Sequence, residues 1–363
     1  MAKGNKKRKY RIRYDRIVIV VLVMIIIAVI ATSCMKFLFG KDKPEFSQTN
    51  SESEIHTSSQ PDIQTDTPTE TTTNINTGNI VQSTTTSSYT TSSYTTTQAT
   101  TVPTVPDGYK TESYSYDEMY KGNLVLVNAE HEYKFLENDI DVITVAGNRN
   151  DYYEVGDYVT SLDRETLYQL NAMIRGYAEA SGIPDRTGIF IQYGYRTYDE
   201  QVDLHNSGKS KTFEAGHTDY HTGRTFDMFY YDSESATGFS YFSADGNYEW
   251  FAENAGNYGF IVRYPNEKKF FTGENPRNYT YRYVGVPHSV YMNENNLCLE
   301  EYIELVKTYT IDNPLGISAD GNIYSVYYVP VEQSDINEIT VPSDKMYSVS
   351  GNNVDGFIVT VTE

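Results

Sequence analysis

The chain has few cysteines and few bases, and each shortage excludes a class of protein. Its 363 residues contain two cysteines, Cys34 and Cys298, so a small domain held together by several disulfides is excluded. Lysine and arginine total 29 against 49 aspartates and glutamates, which gives a net charge of −20. Residues 1–16 hold 8 of the bases and 1 acid, which leaves 21 bases against 48 acids in the remainder. That balance argues against a nucleic-acid partner.

An apolar run follows the basic segment 1–16. Residues 17–35, IVIVVLVMIIIAVIATSCM, contain no charged side chain. As a helix they would span about 28 Å, which is enough to cross the hydrocarbon core of a membrane. We therefore predict a single-pass membrane anchor with its basic tail in the cytoplasm and the main domain outside the cell. An alternative is a lipoprotein signal ending at Cys34, because IATSC loosely resembles a lipobox. Both interpretations tether an extracellular domain.

Two further segments differ in composition from the centre of the chain. Residues 36–106 are rich in Ser and Thr and contain the repeat TTSSY at 85–89 and 90–94. Such a segment lacks the apolar surface needed for a core, which predicts a disordered linker. After Asn313 the apolar residues alternate between turns, which predicts a β-rich appendage at 314–363. The globular domain is then expected at 107–313.

The central region mixes helical and strand-like patterns. SLDRETLYQLNAMIRGYAEASG, residues 161–182, has apolar positions at helical spacing and a terminal Gly, which predicts an amphipathic helix. Further helices are predicted at 197–208, 248–256 and 297–309, and strands at 188–196, 224–232 and 260–265. This order favours an α+β fold, a small antiparallel sheet with flanking helices, over a regular βαβ array.

Four collinear stretches in this region carry a family resemblance. YGYRTYDEQ at 193–201 is similar to the pattern SGYRSxxxQ, and AGHTDYHTGRTFD at 215–227 is similar to PGxSxHxxGxAxD. WFAENAGNYGFIVRYP at 250–265 and YRYVGVPHS at 281–289 resemble the region around ExWHxRYVG. Together they resemble the VanY-type zinc D-alanyl-D-alanine carboxypeptidases. The resemblance implies a hedgehog/D,D-peptidase-like core that acts on D-Ala-D-Ala in the stem peptides of cell-wall peptidoglycan.

The resemblance also implies a zinc ion held by a His, an Asp and a second His. Asp227 stands at the Asp position. Tyr220 occupies the first His position, with His221 one place late, and Thr280 occupies the second. A threonine hydroxyl is a poor substitute for imidazole, and a tyrosine would have to ionise from a pKa near 10 to coordinate strongly. Zinc is therefore expected only if the family site is retained.

The general-base Glu of the family corresponds to Arg277. A guanidinium does not accept a proton near neutral pH, and its charge opposes a divalent cation. No Glu followed three residues later by His occurs between Gly273 and His288, so an ungapped shift does not restore the signature.

The positions that the resemblance assigns to substrate are better preserved. Arg196 matches the Arg that holds a substrate carbonyl or oxyanion, although it could instead form a salt bridge at the start of the helix near Asp199. Gln201 matches as well, Thr218 stands in for a Ser, and Tyr279 stands at the usual Trp. These are the predicted substrate-binding residues.

We therefore hypothesise a membrane-tethered domain that binds stem peptides at the cell wall but has lost hydrolysis. An active zinc D,D-carboxypeptidase with an unorthodox ligand set and a structural surface-display protein are the alternatives. The alternate positions of His217, Asp219 and His221 would also permit a different metal site if they lay on an extended strand. Ordinary polar loop residues would give the same pattern.

Overall fold

The computed structural model describes residues 105–363 except 138, 211, 212 and 333. These residues fall within one compact unit, Tyr94–Glu363. The predicted basic tail, the membrane anchor and nearly all of the linker lie outside the described residues. Among the helices that the structure does describe, none has the length and apolar character needed to cross a membrane.

Seven α-helices are found in the described part of the chain. They are α1 Val145–Asn148, α2 Arg164–Ala180, α3 Tyr198–Asn206, α4 Trp250–Asn254, α5 Lys269–Thr272, α6 His288–Glu294 and α7 Leu299–Val306. Short 3-10 helices occur at Tyr116–Tyr120, Asp219–Thr222, Gly246–Tyr248 and Ala255–Tyr258.

Fourteen strands complete the described elements. They are β1 Tyr109–Ser115, β2 Val142–Thr144, β3 Glu154–Val155, β4 Ser161–Asp163, β5 Ile189–Gln192, β6 Thr225–Tyr231, β7 Phe239–Tyr241, β8 Phe260–Tyr264, β9 Arg277–Tyr283, β10 Leu315–Ala319, β11 Asn322–Pro330, β12 Ile336–Pro342, β13 Tyr347–Gly351 and β14 Gly356–Thr362.

A six-stranded sheet organises the central region. Its order is β3-β5-β6-β9-β8, and β7 also pairs with β6. The architecture is the mixed α+β arrangement expected from the sequence, with one correction: β3 runs parallel to β5, whereas the other pairs of this sheet are antiparallel.

Helix α2 packs against one face of this sheet. Its buried residues, which include Leu167, Leu170 and Ile174, share a core with Ile191 and Phe226 of the sheet. The helix is shorter than predicted because residues 161–163 form β4 instead. Burial of this face leaves the opposite face of β5 and β6 free of helix α2.

The C-terminal strands pack on the helical side of the chain. β10, β11, β14 and β13 form a four-stranded sheet, and β12 pairs with β1 at the start of the described chain. Residues of α6 and α7 share a core with β10 and β11. His288 is buried at this junction, where its ring contacts the hydroxyls of Tyr302 and Thr360 at 2.7 and 3.1 Å.

Candidate functional site

The short 3-10 helix Asp219–Thr222 leads directly into the central strand β6. Gly223 makes the turn between them with φ +67°, a left-handed conformation, and an added Cβ would come within 3.2 Å of the backbone nitrogen of Asp163. Glycine adopts this conformation at little cost, whereas most other residues do not. The turn places the side chain of Tyr220 beside the start of β6.

Three residues then converge on one point of the sheet. Asp227 in β6 lies directly opposite Thr280 in β9. The hydroxyl of Thr280 donates a hydrogen bond to Asp227 Oδ1 at 2.7 Å, and the hydroxyl of Tyr220 donates to the same oxygen at 2.6 Å. All three side chains are buried. The three positions that the family resemblance assigns to zinc are thus brought together, and they are bonded to one another.

The protonation states follow from burial. Burial raises the pKa of Asp227 to about 6, although the hydrogen bonds from Tyr220 and Thr280 and the charges of Arg196 and Arg277 act to lower it. Burial and the neighbouring carboxylate raise the pKa of Tyr220 well above its ordinary value. Tyr220 therefore stays a neutral hydrogen-bond donor over the physiological pH range.

These residues do not fit a zinc ion. Zinc sites in proteins take thiolate, imidazole and carboxylate ligands, and structural or catalytic sites need at least three of them. Here Asp227 is the one such group in the cluster, because Tyr220 and Thr280 supply neutral hydroxyls whose protons are engaged with it. In the part of the chain that the structure describes, no three His, Cys, Asp or Glu side chains are grouped to hold a metal ion.

His221 does not replace the missing imidazole. Its Nε2 accepts a hydrogen bond from the backbone N–H of Gly216 at 3.0 Å, and its Nδ1 lies 2.7 Å from the backbone oxygen of Arg196. Nδ1 therefore carries the proton, and neither ring nitrogen has a free lone pair. Burial lowers the pKa of His221 to about 4, which keeps the ring neutral. The predicted role of His221 as a zinc ligand is therefore not realised in this arrangement.

The alternative site at His217, Asp219 and His221 is also wrong. Asp219 and His221 lie in a 3-10 helix rather than in an extended strand, so alternate residues do not share one side. His217 Nδ1 instead lies 3.0 Å from the backbone oxygen of Asn128.

Asp219 lies fully buried within an ion-pair network. Its Oδ1 accepts from Arg282 at 2.6 Å, its Oδ2 lies 3.4 Å from Arg263 Nε, and Arg263 bonds to Glu300 at 2.9 Å. Burial would raise the pKa of Asp219, but the two guanidinium groups hold it below its ordinary value. The network ties the 3-10 helix to β8, β9 and α7, and so fixes the position of Tyr220.

Arg196 lies over the ring of Tyr220. The centre of its guanidinium is 4.1 Å from the ring centroid, and its Nη1 donates to Gln201 Oε1 at 3.0 Å. It forms no ion pair with any described residue, so the alternative of a salt bridge near Asp199 is not realised. The arrangement places the guanidinium of Arg196 at the cleft above Asp227.

Gln201 and Thr218, which were predicted to bind substrate, do not line the cleft above Asp227. Both are fully buried. Gln201 accepts from Arg196 and donates to Ser210 Oγ and the backbone oxygen of Phe213, so it orients Arg196 and does not face a ligand. The hydroxyl of Thr218 is buried without a hydrogen-bond partner among the described residues. Neither side chain is exposed to bind substrate directly.

A cleft of about 440 Å³ opens above the cluster. Its lining residues are Tyr193, Arg196, Leu204, Lys209, Ser210, Phe213, Tyr220, Asp227, Tyr241, Arg277 and Tyr279. Arg277 lies over the ring of Phe213 at 4.6 Å and makes no hydrogen bond or ion pair with a described residue. Three cationic groups thus face one carboxylate, the reverse of the acidic excess of the whole chain.

Sequence reasoning missed part of this lining. Tyr193 has φ +60°, an unusual value for a tyrosine that tends to occur at functional sites, and it precedes the Gly-Tyr-Arg of the first motif. Lys209, Phe213 and Tyr241 lie outside the motifs. Tyr241 reaches the cleft because β7 pairs with β6, a long-range pairing that no local pattern indicates.

Comparison with known proteins gives consistent matches. Residues 160–286 match the family VanY, D-alanyl-D-alanine carboxypeptidase. A D-alanyl-D-alanine carboxypeptidase of Enterococcus faecium is 32% identical over 248 residues, which are 68% of this chain and 77% of that protein.

Solved structures show the same similarity. The vancomycin-resistance D,D-dipeptidase VanXYg, crystallised with a D-Ala-D-Ala phosphinate analogue, is 28% identical with a TM-score of 0.59, over 70% of this chain and 99% of that one. A variant of the D,D-pentapeptidase VanY from a VanB-type resistance cassette, solved with Zn(II), is 23% identical with a TM-score of 0.37, over 50% of this chain and 98% of that one. Because the Enterococcus faecium relative is 32% identical to this chain over 77% of its own length, the chain belongs to the VanY D-alanyl-D-alanine carboxypeptidase family.

Proposed function

We propose that this member of the family binds the D-Ala-D-Ala end of peptidoglycan stem peptides without hydrolysing it. The observation that carries the proposal is the bonded cluster of Tyr220, Asp227 and Thr280 at the three family zinc positions. For Tyr220 and Thr280 to act as ligands, both hydroxyls would have to give up their hydrogen bonds to Asp227, which is the one carboxylate of the cluster.

The charges of the cleft favour a carboxylate as the ligand group. Arg196, Lys209 and Arg277 line it together with the single acid Asp227. A guanidinium binds a carboxylate through paired, charge-assisted hydrogen bonds, and it needs no metal to do so. Because Arg277 has no described partner, its donors are free for the C-terminal carboxylate of a peptide.

The same arginine argues against hydrolysis. A general base must accept a proton from water, and the guanidinium of Arg277 remains protonated at all physiological pH values. Asp227 is the remaining acid of the cleft, and its Oδ1 already accepts two hydrogen bonds. In this proposal the described cleft residues bind and orient a ligand, and the position of the family's general base supplies none.

The proposed location of the domain at the cell wall rests on the predicted N-terminal segments. We propose that residues 17–35 anchor the chain in the membrane and that the Ser/Thr-rich linker carries the domain outward to the wall. Protease protection of residues 1–16 in intact cells tests this orientation. Digestion of that tail in intact cells would overturn it.

Binding is tested with a stem peptide ending in D-Ala-D-Ala and the same peptide amidated at its C-terminus. Isothermal titration calorimetry should detect binding of the free acid and no binding of the amide. Replacing Arg277 by Ala should weaken binding at least about tenfold, since charge-assisted hydrogen bonds contribute roughly 1.5–3 kcal/mol. Arg175→Ala, which removes an exposed arginine of α2, is the control. Equal affinity for acid and amide would refute the carboxylate contact, and no binding of either would favour the surface-display alternative.

Hydrolysis is tested by zinc content and by release of D-Ala. We expect no stoichiometric zinc and no D-Ala from the wild-type chain. The combined variant Tyr220→His, Arg277→Glu and Thr280→His should bind about one zinc and release D-Ala, since it restores the ligand set of the family. Release of D-Ala by the wild-type chain would instead establish an active carboxypeptidase with a different set of catalytic groups.

A further inference from the structure

The face of the sheet that carries Asp227 continues beyond the cleft as a surface of aromatic rings. Side chains of a strand alternate between the two faces, so Phe229 and Tyr231 lie on the same face of β6 as Asp227. The register pairs Phe190 of β5 with Phe229. It pairs Tyr241 of β7 with Phe229, and Phe239 with Tyr231. We call these five residues of β5, β6 and β7 the aromatic face.

The rings of the aromatic face contact one another without a break. Phe190 and Phe229 are stacked with centroids 5.2 Å apart, and Phe229 lies 5.0 Å from Tyr241. At the cleft end, Tyr241 stacks on Tyr279 at 4.2 Å. At the far end, Phe190 contacts Tyr231 at 5.3 Å. The surface therefore runs continuously from the cleft to Tyr231.

Much of this surface is open to solvent. Tyr231 is 61% exposed, Tyr241 59% and Phe239 38%, whereas Phe190 and Phe229 are buried beneath them. The solvent side of an antiparallel sheet ordinarily carries polar residues opposite its apolar core. Here the core side is filled by Ile191, Met228 and their neighbours, and the other side is aromatic as well. Exposed apolar surface of this kind marks a binding site.

The chemistry of the surface selects its ligand. β6 already has strand partners on both sides, and β5 lies between β3 and β6, so a peptide cannot extend the sheet at the centre of this face. The five residues carry no charge, so a charged polymer gains nothing there. Flat rings with tyrosine hydroxyls suit a neutral ligand that has apolar ring faces and a polar rim. Pyranose sugars have this form.

We propose that the aromatic face binds a neutral glycan chain by stacking of sugar rings on Tyr231, Phe239 and Tyr241. The choice of a cell-wall glycan as occupant depends on the proposed function, because a stem peptide in the cleft is attached to such a chain, and the face begins at the cleft. One ligand molecule would then contact both the cationic cleft and the uncharged face.

The proposal is tested with an uncharged chitooligosaccharide, which has no peptide, and separately with the dipeptide D-Ala-D-Ala. The full-length chain is placed in lipid nanodiscs, with empty nanodiscs as the blank, and dissociation constants are measured by titration calorimetry. We expect the chitooligosaccharide to bind. Removing two rings by Tyr231→Ala and Phe239→Ala should weaken it by about tenfold or more, since stacked aromatic contacts add to the burial of the ring.

Control variants separate ring stacking from loss of structure. Tyr231→Phe keeps the ring and should keep binding within about twofold, if the stacking carries it. Phe270→Ala removes a ring that is 91% exposed on α5 and should have no effect. Near-ultraviolet circular dichroism checks that each variant is folded. Because Tyr231 and Phe239 lie outside the cleft lining, the affinity for D-Ala-D-Ala should not change.

The other outcomes contradict either the glycan surface or the proposed function, and they tell the two apart. Wild-type protein that fails to bind the chitooligosaccharide but binds D-Ala-D-Ala would overturn the glycan surface and leave the proposed function intact. Sugar binding unaffected by the double variant would place the sugar elsewhere. If the double variant changes only the oligomeric state in sedimentation, the face joins two copies of the chain and is not a glycan site. Sugar binding without dipeptide binding would keep the surface and refute the proposed function.

Discussion

Two buried carboxylates, eight residues apart, have opposite surroundings. Asp219 is fully buried between the guanidinium groups of Arg282 and Arg263. Asp227 is 4% exposed and accepts hydrogen bonds from the hydroxyls of Tyr220 and Thr280. The pKa of Asp219 lies below its ordinary value, and that of Asp227 is raised to about 6. The first carboxylate forms ion pairs with two guanidinium groups, whereas the second is held by two hydroxyls and forms no ion pair with a described residue.

The difference separates the parts of the molecule that stabilise the fold from the part that faces a ligand. The Asp219 network joins four elements, and its two guanidinium groups are matched by two carboxylates. Asp227 lines an open cleft, and its Oδ2 receives no hydrogen bond from a described group. A charge retained there at a cost in stability is typical of a functional position.

The largest effect is expected at the ion-pair network. Asp219→Asn keeps the shape of the side chain but leaves Arg282 buried without its counter-charge. Removing one partner of a buried pair typically costs roughly 3–5 kcal/mol, so the free energy of unfolding in urea should fall by about that much. The measurement is a urea titration followed by circular dichroism.

A matched control uses an exposed ion pair. Asp141 is 64% exposed and bonds to Arg164 at 2.6 Å. Asp141→Asn should change the free energy of unfolding by less than about 1 kcal/mol, as surface pairs do. If Asp219→Asn costs no more than this control, the network does not stabilise the fold in the way described.

Replacing Asp227 by Asn should raise the free energy of unfolding, which is the opposite of the effect expected for Asp219→Asn. The folded protein holds the Asp227 proton to about pH 6, against an ordinary pKa of 3.8. Between these values Asp227 is protonated to a greater extent in the folded state than in the unfolded chain, so its contribution to stability falls as pH rises through this range. Asp227→Asn removes that cost and should raise the free energy of unfolding at pH 7 by roughly 1–3 kcal/mol.

The pH profile distinguishes this cause from a packing effect. Buried His221, whose pKa is lowered to about 4, adds stability as pH rises, so the effect of Asp227 is read as a difference between two proteins. In urea titrations from pH 4 to pH 7, the stability that Asp227→Asn gains over the wild type should increase with pH. Asp141→Asn again serves as the control and should keep the wild-type slope. A destabilised Asp227→Asn with an unchanged slope would mean that the carboxylate is favoured in its ionised form, as an arrangement with a bound cation would require.

Much of the fold was accessible from the sequence because its elements have strong local patterns. The helix predicted at 161–182 is α2, and its N-terminal boundary was wrong because Ser161–Asp163 pair with β2. The strands predicted at 224–232 and 260–265 are β6 and β8. Helix α6 and strand β9 were not predicted, since β9 contains Arg277, Asn278 and Thr280 and lacks a regular apolar alternation.

The site was predicted in part, and the limits have a physical origin. The family resemblance assigns Tyr220, Asp227 and Thr280 to the three zinc positions, and in the structure these side chains contact one another. Spacing does not specify which hydroxyl bonds to which oxygen, or that both ring nitrogens of His221 are engaged by backbone. The aromatic face depends on pairing between β5, β6 and β7, which are separate in sequence, so its continuity is a property of the folded chain.

The smallest effect is expected from one hydroxyl of the cluster. Tyr220→Phe removes a hydrogen bond to Asp227 Oδ1, while Thr280 still donates to that oxygen, so the loss in stability should be about 0.5–1.5 kcal/mol. The bond lowers the pKa of Asp227, which should therefore rise above 6 in the variant when its carboxyl carbon is titrated by NMR. Tyr153→Phe, which removes a buried hydroxyl bonded to Asn171, should cost similar stability and leave this titration unchanged. If Tyr220→Phe also leaves it unchanged, the nearby arginines rather than the hydroxyl pair set the charge of Asp227.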